Sequence, residues 1–326
     1  PRDAVELVLE VVRSGGFSSQ LQKTRLVSGK HENVFESMII KDGDESIKID
    51  NSHEAKVLGL IYDKRSSLVR YPKVFSQLLR ASEEMTRRQV LSRISQLRDP
   101  LTVRPVTSFV VNFMKQKIGE STLSWDAPFT NEDQQIWHRR LQVLEEIDRI
   151  EPAEATGNLK EGGLLVICSD ASTTGYAWLA FYGTLETRLD YLGGYYGVWK
   201  SKHYLKHINY LELLAAVKAT SFTDMNYVDT LKPKAVYHLV DSQSCYRQLL
   251  SGRVHEQADS AALCQRQLNY HSEVVTGLNP ADTGSRLTSL VDYFNKLTGA
   301  ETMENLVGYL APKYLSTEVC VRIREA

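Results

Sequence analysis

The sequence is poor in the residues that staple small folds. Its four cysteines, Cys168, Cys245, Cys264 and Cys320, form no CxxC pair and no Cys/His cluster at zinc spacing, which excludes a disulfide scaffold and a structural zinc site. No apolar run reaches the roughly 18 residues a membrane helix needs, and no basic-then-apolar leader opens the chain. No membrane partner is expected. With thiols kept reduced, the expected setting is intracellular: cytoplasm, nucleus or an organelle. An excess of one charge is also missing, since Lys+Arg 39 against Asp+Glu 40 leaves a net charge of −1. Binding of nucleic acid through bulk basicity is thereby excluded, and any such contact must be local. With 42% hydrophobic and 24% charged residues, the composition excludes disordered, collagenous and coiled-coil chains. What remains is a globular protein long enough for two or three domains.

Periodicity divides the chain. Residues 1–72 read as mixed α/β, with a helix over Ala4–Ser14 stopped by Gly15 and Gly16, and short strands at Met38–Ile40, Ser46–Ile49 and Lys56–Tyr62. Asp42-Gly43-Asp44 makes a turn between the first two strands. Residues 73–158 are helical: Thr86 caps a helix that ends near Asp99-Pro100, a second helix fills Val106–Ile118, and a third carries Trp137, Leu141, Leu144 and Ile147 along one face. Periodicity vanishes over 151–163, and the pattern after it is strand, strand, strand, helix, strand, helix, strand. That order predicts a mixed α/β sheet domain over 159–290, followed by an extension at 291–326. No GxGxxG follows its first strand, so a nucleotide-binding doubly wound fold is not expected.

Four acids fall where that topology turns. Asp170 ends the first strand, Asp241 ends a buried strand, Asp282 opens a helix after Asn279-Pro280-Ala281, and Glu212 lies among Leu211, Leu213 and Leu214 on a helix. Taken singly, each aspartate reads as a cap, and Glu212 as the wet edge of its helix. Together they differ, because strand ends and a helix packed across them can bring carboxylates into one place. Carboxylates so gathered repel unless divalent cations neutralise them. An all-oxygen set favours Mg²⁺ or Mn²⁺, and two such ions suit phosphodiester cleavage.

Asp170-Ala171-Ser172, Asn209-Tyr210-Leu211-Glu212-Leu213, Val240-Asp241-Ser242 and Asn279-Pro280-Ala281-Asp282-Thr283-Gly284-Ser285-Arg286, in that order, resemble the ribonuclease H domain of retroelement reverse transcriptases. The upstream segments Ser14–Phe17, Lys56–Asp63, Arg88–Leu101 and Leu123–Asp126 are similar to the thumb and connection region of BEL/Pao-type LTR retrotransposons. The resemblance implies a ribonuclease H-like mixed five-stranded sheet with flanking helices, preceded by a mostly helical thumb/connection region and a small β segment. It implies cleavage of the RNA strand of an RNA–DNA hybrid with two ions, Mg²⁺ or Mn²⁺, held by Asp170, Glu212, Asp241 and Asp282. The implied partner is the polymerase domain of the same polyprotein. With no Asp-Asp pair in the sequence, polymerase activity is not expected of this chain. An alternative is a domesticated, structural subunit of a ribonucleoprotein, such as an organellar ribosome.

Substrate contacts are expected from Lys200 and Lys202, in a basic run beside Tyr195, Tyr196 and Trp199, from Asn209 on the face of Glu212, and from Arg286. Ser242 reads as a helix cap and His271 as a structural strand histidine.

Overall fold

The computed structural model describes residues 85–151, 161–186, 188–199, 206–251, 271–275, 277–286, 300–310 and 312–325, with Leu159 and short stretches between 10 and 72. The chain forms two compact units, one of residues 1–72 with 153–157 and one of 73–152 with 158–326.

In the first unit, Glu54–Val57, Leu60–Asp63 and Leu68–Arg70 make an antiparallel sheet in chain order. The single strand expected over Lys56–Tyr62 is broken at Gly59, whose φ of +88° is open to glycine at no steric cost, and the chain folds back as a hairpin. The strand expected at Ser46–Ile49 is likewise divided, with Lys41–Asp42 pairing Glu45–Ser46 across the predicted turn, and Arg25–Leu26 pairing Lys48–Ile49. Met38–Ile40 and most of the helix expected over Ala4–Ser14 lie outside the described residues.

The second unit starts with helices. Helix α1 (Arg87–Ile94) opens on a capping box in which Thr86 and Gln89 satisfy each other's backbone N–H groups. Helix α2 (Pro105–Glu120) has proline at its first position, where the missing N–H costs nothing. Helix α3 (Asn131–Ile150) is capped by Thr130 and buries Trp137, Leu141, Leu144 and Ile147, the stripe read from the sequence. Each such buried side chain contributes about 1.5–3 kcal/mol.

A mixed sheet follows: β1 (Leu164–Ala171), β2 (Gly175–Thr184), β3 (Arg188–Val198), β4 (Ala235–Val240) and β5 (His271–Val274), in the order β3-β2-β1-β4-β5. The meander β1–β3 is antiparallel, and β4 lies parallel to both β1 and β5. Strand β1 is buried nearly end to end because both of its faces are covered. Helix α4 (Ile208–Thr223) closes over Leu165, Ile167, Trp178 and Ala180. On the other face Val166, Cys168, Leu179 and Phe181 join one core with Phe109 of α2 and Leu144 of α3. The loss of periodicity at 151–163 therefore separates elements but not cores.

Past β4 come α5 (Gln243–Ser251), the short α6 (Ala281–Ser285), α7 (Ala300–Leu310) and α8 (Thr317–Glu325). The stretch expected as an appendage is integral: Met303, Val307, Leu310, Val319 and Ile323 enter the same core. Its chain also pairs with β3, the Tyr191 N–H donating to the Lys313 carbonyl and the Leu315 N–H to that of Leu189, both at 2.8 Å. Among the described residues no helix is long and apolar enough to cross a membrane.

Candidate active site

Strand register brings the first two acids together. Ser169 of β1 is the parallel partner of Val240 of β4, so the next residues stand side by side, Asp170 still within β1 and paired to Ala177 of β2, Asp241 just past the end of β4. Helix α6 is then latched to the end of β1. Asn279 donates from Nδ2 to the Ser169 carbonyl at 2.8 Å and accepts the Ala281 N–H at 3.0 Å. Ser285 donates from Oγ to Asp170 Oδ2 at 2.5 Å, and its own carbonyl accepts from Ser172 Oγ at 2.7 Å. This close approach requires Gly175, where a Cβ would stand 2.7 Å from the Ser285 carbonyl oxygen. One carboxylate oxygen from each of Asp170, Asp241 and Asp282 thereby lies within 4.8 Å of the other two.

Glu212 comes from α4, one turn past the N-cap residue His207, whose Nδ1 accepts the Asn209 N–H. Its oxygens fall outside the 4.8 Å circle of the three aspartates, although it is near enough for its charge and that of Asp241 to repel. Burial, with that repulsion, pushes its carboxyl above the ordinary range, opposed by the Ser242 hydroxyl. Asp170 is pushed up to about 6, chiefly by burial and then by the charges of Asp282, Glu212 and Asp241, against the hydrogen bond from Ser285. Oδ1 of Asp241 and Oε2 of Glu212 are buried without a hydrogen-bond partner among the described residues. A buried carboxylate oxygen without a donor is costly, and a hard cation is the partner this donor set fits.

The remaining expectations divide. Arg286 forms an ion pair with Asp282, Nη2 to Oδ1 at 2.7 Å, so this guanidinium meets a carboxylate of the cluster where a phosphate contact was expected. Helical spacing makes that pairing natural, four residues apart. Asn209 is half-buried in the first turn of α4, whose N-cap is His207. Lys200 and Lys202 lie outside the described residues. Ser242 caps α5, its Oγ accepting the Cys245 N–H. His271 stacks on Tyr237 with ring centroids 4.9 Å apart, far from any part in the cluster's hydrogen bonds. Sequence reasoning missed the latch of Asn279, Ser285 and Ser172. The signal was present, because both Asn279 and Ser285 lie in the motif that carries Asp282.

Residues 86–238 match the family described as the Pao retrotransposon-like RNaseH-like domain. Asp170 and Glu212 fall inside the matched segment, Asp241 and Asp282 beyond it. No curated protein matches the chain. Among solved structures, foamy viral protease-reverse transcriptase in complex with dsDNA is similar at 9% identity over 72% of this chain and 46% of that one, with a TM-score of 0.47. A second foamy viral protease-reverse transcriptase complex with ds DNA gives 12% identity, 72% and 39% coverage, and a TM-score of 0.45. The N-terminal ribonuclease H domain of Rv2228c from Mycobacterium tuberculosis gives 13% identity over 41% of this chain and 98% of that one, with a TM-score of 0.29. The chain spans less than half the length of the foamy viral proteins it matches.

Proposed function

We propose that this chain, whose residues 86–238 match the Pao retrotransposon-like RNaseH-like domain, is the ribonuclease H part of a retroelement reverse transcriptase and cleaves the RNA strand of RNA–DNA hybrids. Asp170, Asp241 and Asp282 hold divalent cations, and Glu212 completes the set from α4. Two hard ions, Mg²⁺ or Mn²⁺, would supply an activated water and stabilise the leaving oxygen. The observation that carries the reading is the convergence of three aspartate oxygens within 4.8 Å, with a buried oxygen on each of Asp241 and Glu212 that meets no donor among the described residues.

The chain's own groups divide the work. Ser285 fixes the Asp170 carboxylate by donating to its Oδ2. Register fixes Asp241 beside it. Arg286, the exposed residue just after α6, neutralises part of Asp282 and comes within reach of a phosphate once that carboxylate turns to a cation. Asn209 shares the helix face of Glu212 and contacts the substrate strand, with Lys200 and Lys202 adding charge. The polymerase domain of the same polyprotein delivers the hybrid. No observation favours the structural-subunit alternative.

The test is direct. A labelled RNA–DNA hybrid incubated with the chain and Mg²⁺ or Mn²⁺ is expected to lose its RNA strand, and Asp241→Asn to leave it intact. An unmutated chain that leaves the hybrid whole with either metal overturns the proposal.

A further inference from the structure

Ser169 and His238 are polar residues in an apolar layer. Alternate residues of a strand share a face, so on β1 Leu165, Ile167 and Ser169 look toward α4, as Val236, His238 and Val240 do on β4. Ser169 is 3% exposed and His238 fully buried, and Ser169 Oγ shares a hydrogen bond with His238 Nε2 at 2.8 Å. Burial holds the imidazole down at about 4, so the ring is neutral at ordinary pH. The pair brings the layer little stability. A neutral hydrogen bond has a small net effect, and two apolar side chains of the same shape would serve as well. What such a satisfied buried pair contributes is one definite arrangement of the elements it joins.

Those elements are the ones that carry the carboxylates. The ladder between β1 and β4 ends at Ser169 and Val240, one residue short of Asp170 and Asp241, so the side-chain bond is set just beneath both aspartates. The Ser169 carbonyl accepts from Asn279 Nδ2 at 2.8 Å, which ties the same residue to the segment that leads into α6 and Asp282. Helix α4 rests over both strand ends, since Leu211 and Leu213, on either side of Glu212, share apolar clusters with Ala171 and with Val240 respectively. Hydrophobic patterning does not fix this arrangement. Both faces of β1 and β4 are apolar, with Val166, Cys168 and Leu239 on the other side, and a slip of two residues exchanges one apolar neighbour for another. In a parallel sheet that slip is about 6.6 Å. It exceeds the 4.8 Å within which the three aspartates each place an oxygen.

We propose that Ser169 and His238 are positioning residues of the metal site, their bond fixing the stagger of β1 against β4 and so the spacing of Asp170, Asp241 and Asp282 as cation ligands. Both act through the aspartates. That the carboxylates hold a cation rests on the nuclease reading; the join of three elements at Ser169 does not.

The experiment is calorimetric titration of the full chain with Mn²⁺, alongside thermal melting in EDTA. In a double variant, Ser169→Ala with His238→Leu, both partners leave together, so neither is stranded and Tm in EDTA is expected to stay level or rise. Mn²⁺ affinity is nevertheless expected to fall about tenfold, the lower end of what loss of a ligand-orienting partner costs. His238→Gln, which puts an amide where Nε2 stood, is expected to keep the affinity. Ser169→Ala alone is expected to show the same affinity loss with a lower Tm, and it carries the test where the double variant does not fold. Folded variants that bind Mn²⁺ as tightly as the unmutated chain overturn the proposal, and so does a His238→Gln chain that loses as much affinity as the double variant. Hybrid cleavage, assayed in parallel with Mg²⁺, separates this proposal from the nuclease reading. Cleavage by the unmutated chain beside equal Mn²⁺ affinity in every variant sinks the positioning pair alone, and the tenfold loss beside an uncut hybrid sinks the nuclease alone. An unmutated chain that takes up no Mn²⁺ overturns both.

Discussion

Two clusters of buried and half-buried acids lie in the larger unit, and they are built on opposite principles. At the junction of α2 and α3, Arg104 donates to Asp148 Oδ1 at 2.5 Å and to the Asp148 carbonyl at 3.0 Å. Glu151, fully buried, caps α2 by accepting the Val106 and Thr107 N–H groups at 2.9 and 3.1 Å, together with the Thr107 hydroxyl. Asp99 accepts from the Val103 and Arg104 N–H groups and from Ser108. Every acid there is met by donors within the fold. At the strand ends, Asp170, Glu212, Asp241 and Asp282 gather with one arginine among them and with buried oxygens on Asp241 and Glu212 left over. Burial of a carboxylate is thus no mark of a site in itself. What distinguishes the second cluster is that, among the described residues, no donor meets the buried oxygens of Asp241 and Glu212.

The largest expected effect tests that distinction on activity and stability at once. Asp241→Asn removes a ligand and a repelling charge together. Cleavage is expected to fall by at least about a thousandfold, several kcal/mol of transition-state stabilisation. Meanwhile Tm in EDTA stays level or rises, because a like charge has left the cluster. Millimolar Mg²⁺ is expected to raise the Tm of the unmutated chain and not that of the variant. A variant that loses Tm as it loses activity makes this cluster structural, like the first.

The mirror experiment is Arg104→Met. It strands Asp148 and Glu151 without their cation in a dry interior, where removing one partner costs about 3–5 kcal/mol. At the scale of a unit of this size that lowers Tm by roughly 6–20 °C, read by calorimetry. Cleavage below the transition is expected to be unaffected. A stable Arg104→Met chain erases the contrast.

These two clusters were unequally legible in the sequence. The three aspartates were readable because each lay at a strand end or a helix start, Glu212 because a carboxylate stood among leucines on a helix, and topology then drew them toward one place. The stripe of α3, the cap Thr86 and the run of three strands were readable for the same reason: local pattern and tertiary need agree. The Arg104 cluster was not, because Asp99, Arg104, Asp148 and Glu151 are residues that surfaces also use, and only the docking of α2 on α3 buries them. Gly59 hid a hairpin inside an apolar run that looked like one strand. The 300–325 helices read as an appendage because nothing local says that Leu310 or Ile323 faces a core. The Ser169–His238 pair was invisible, since nothing local says that a serine in one strand meets a histidine in another.

A third, smaller effect isolates the share of the pH dependence that Glu151 adds to that of Asp170, which is raised in the same direction. Burial pushes Glu151 up to about 7, despite Arg104 and Thr107. A carboxyl raised in the fold contributes stability that is complete below its unfolded value near 4.5 and is lost as pH climbs through about 7. The drop over that window is up to about 3 kcal/mol. Glu151→Gln is expected to flatten unfolding free energy against pH between 4.5 and 7, measured by urea titration in EDTA. An unchanged slope assigns the pH dependence elsewhere.

The smallest effect probes the latch, where a neutral donor does for one oxygen of Asp170 what Arg104 does for Asp148. Ser285→Ala removes a hydroxyl from a fully buried position and leaves Asp170 to be oriented by its neighbours alone. Partners that orient metal ligands are worth about 10- to 100-fold in affinity, and a neutral hydroxyl belongs at the lower end. Calorimetric titration with Mn²⁺ is expected to show about a tenfold weaker site, with cleavage restored toward the unmutated level at saturating metal. A purely structural serine would lower Tm and leave the Mn²⁺ affinity of the folded chain where it was. The comparison of the two readouts decides whether the second cluster, like the first, depends on a donor supplied by the fold.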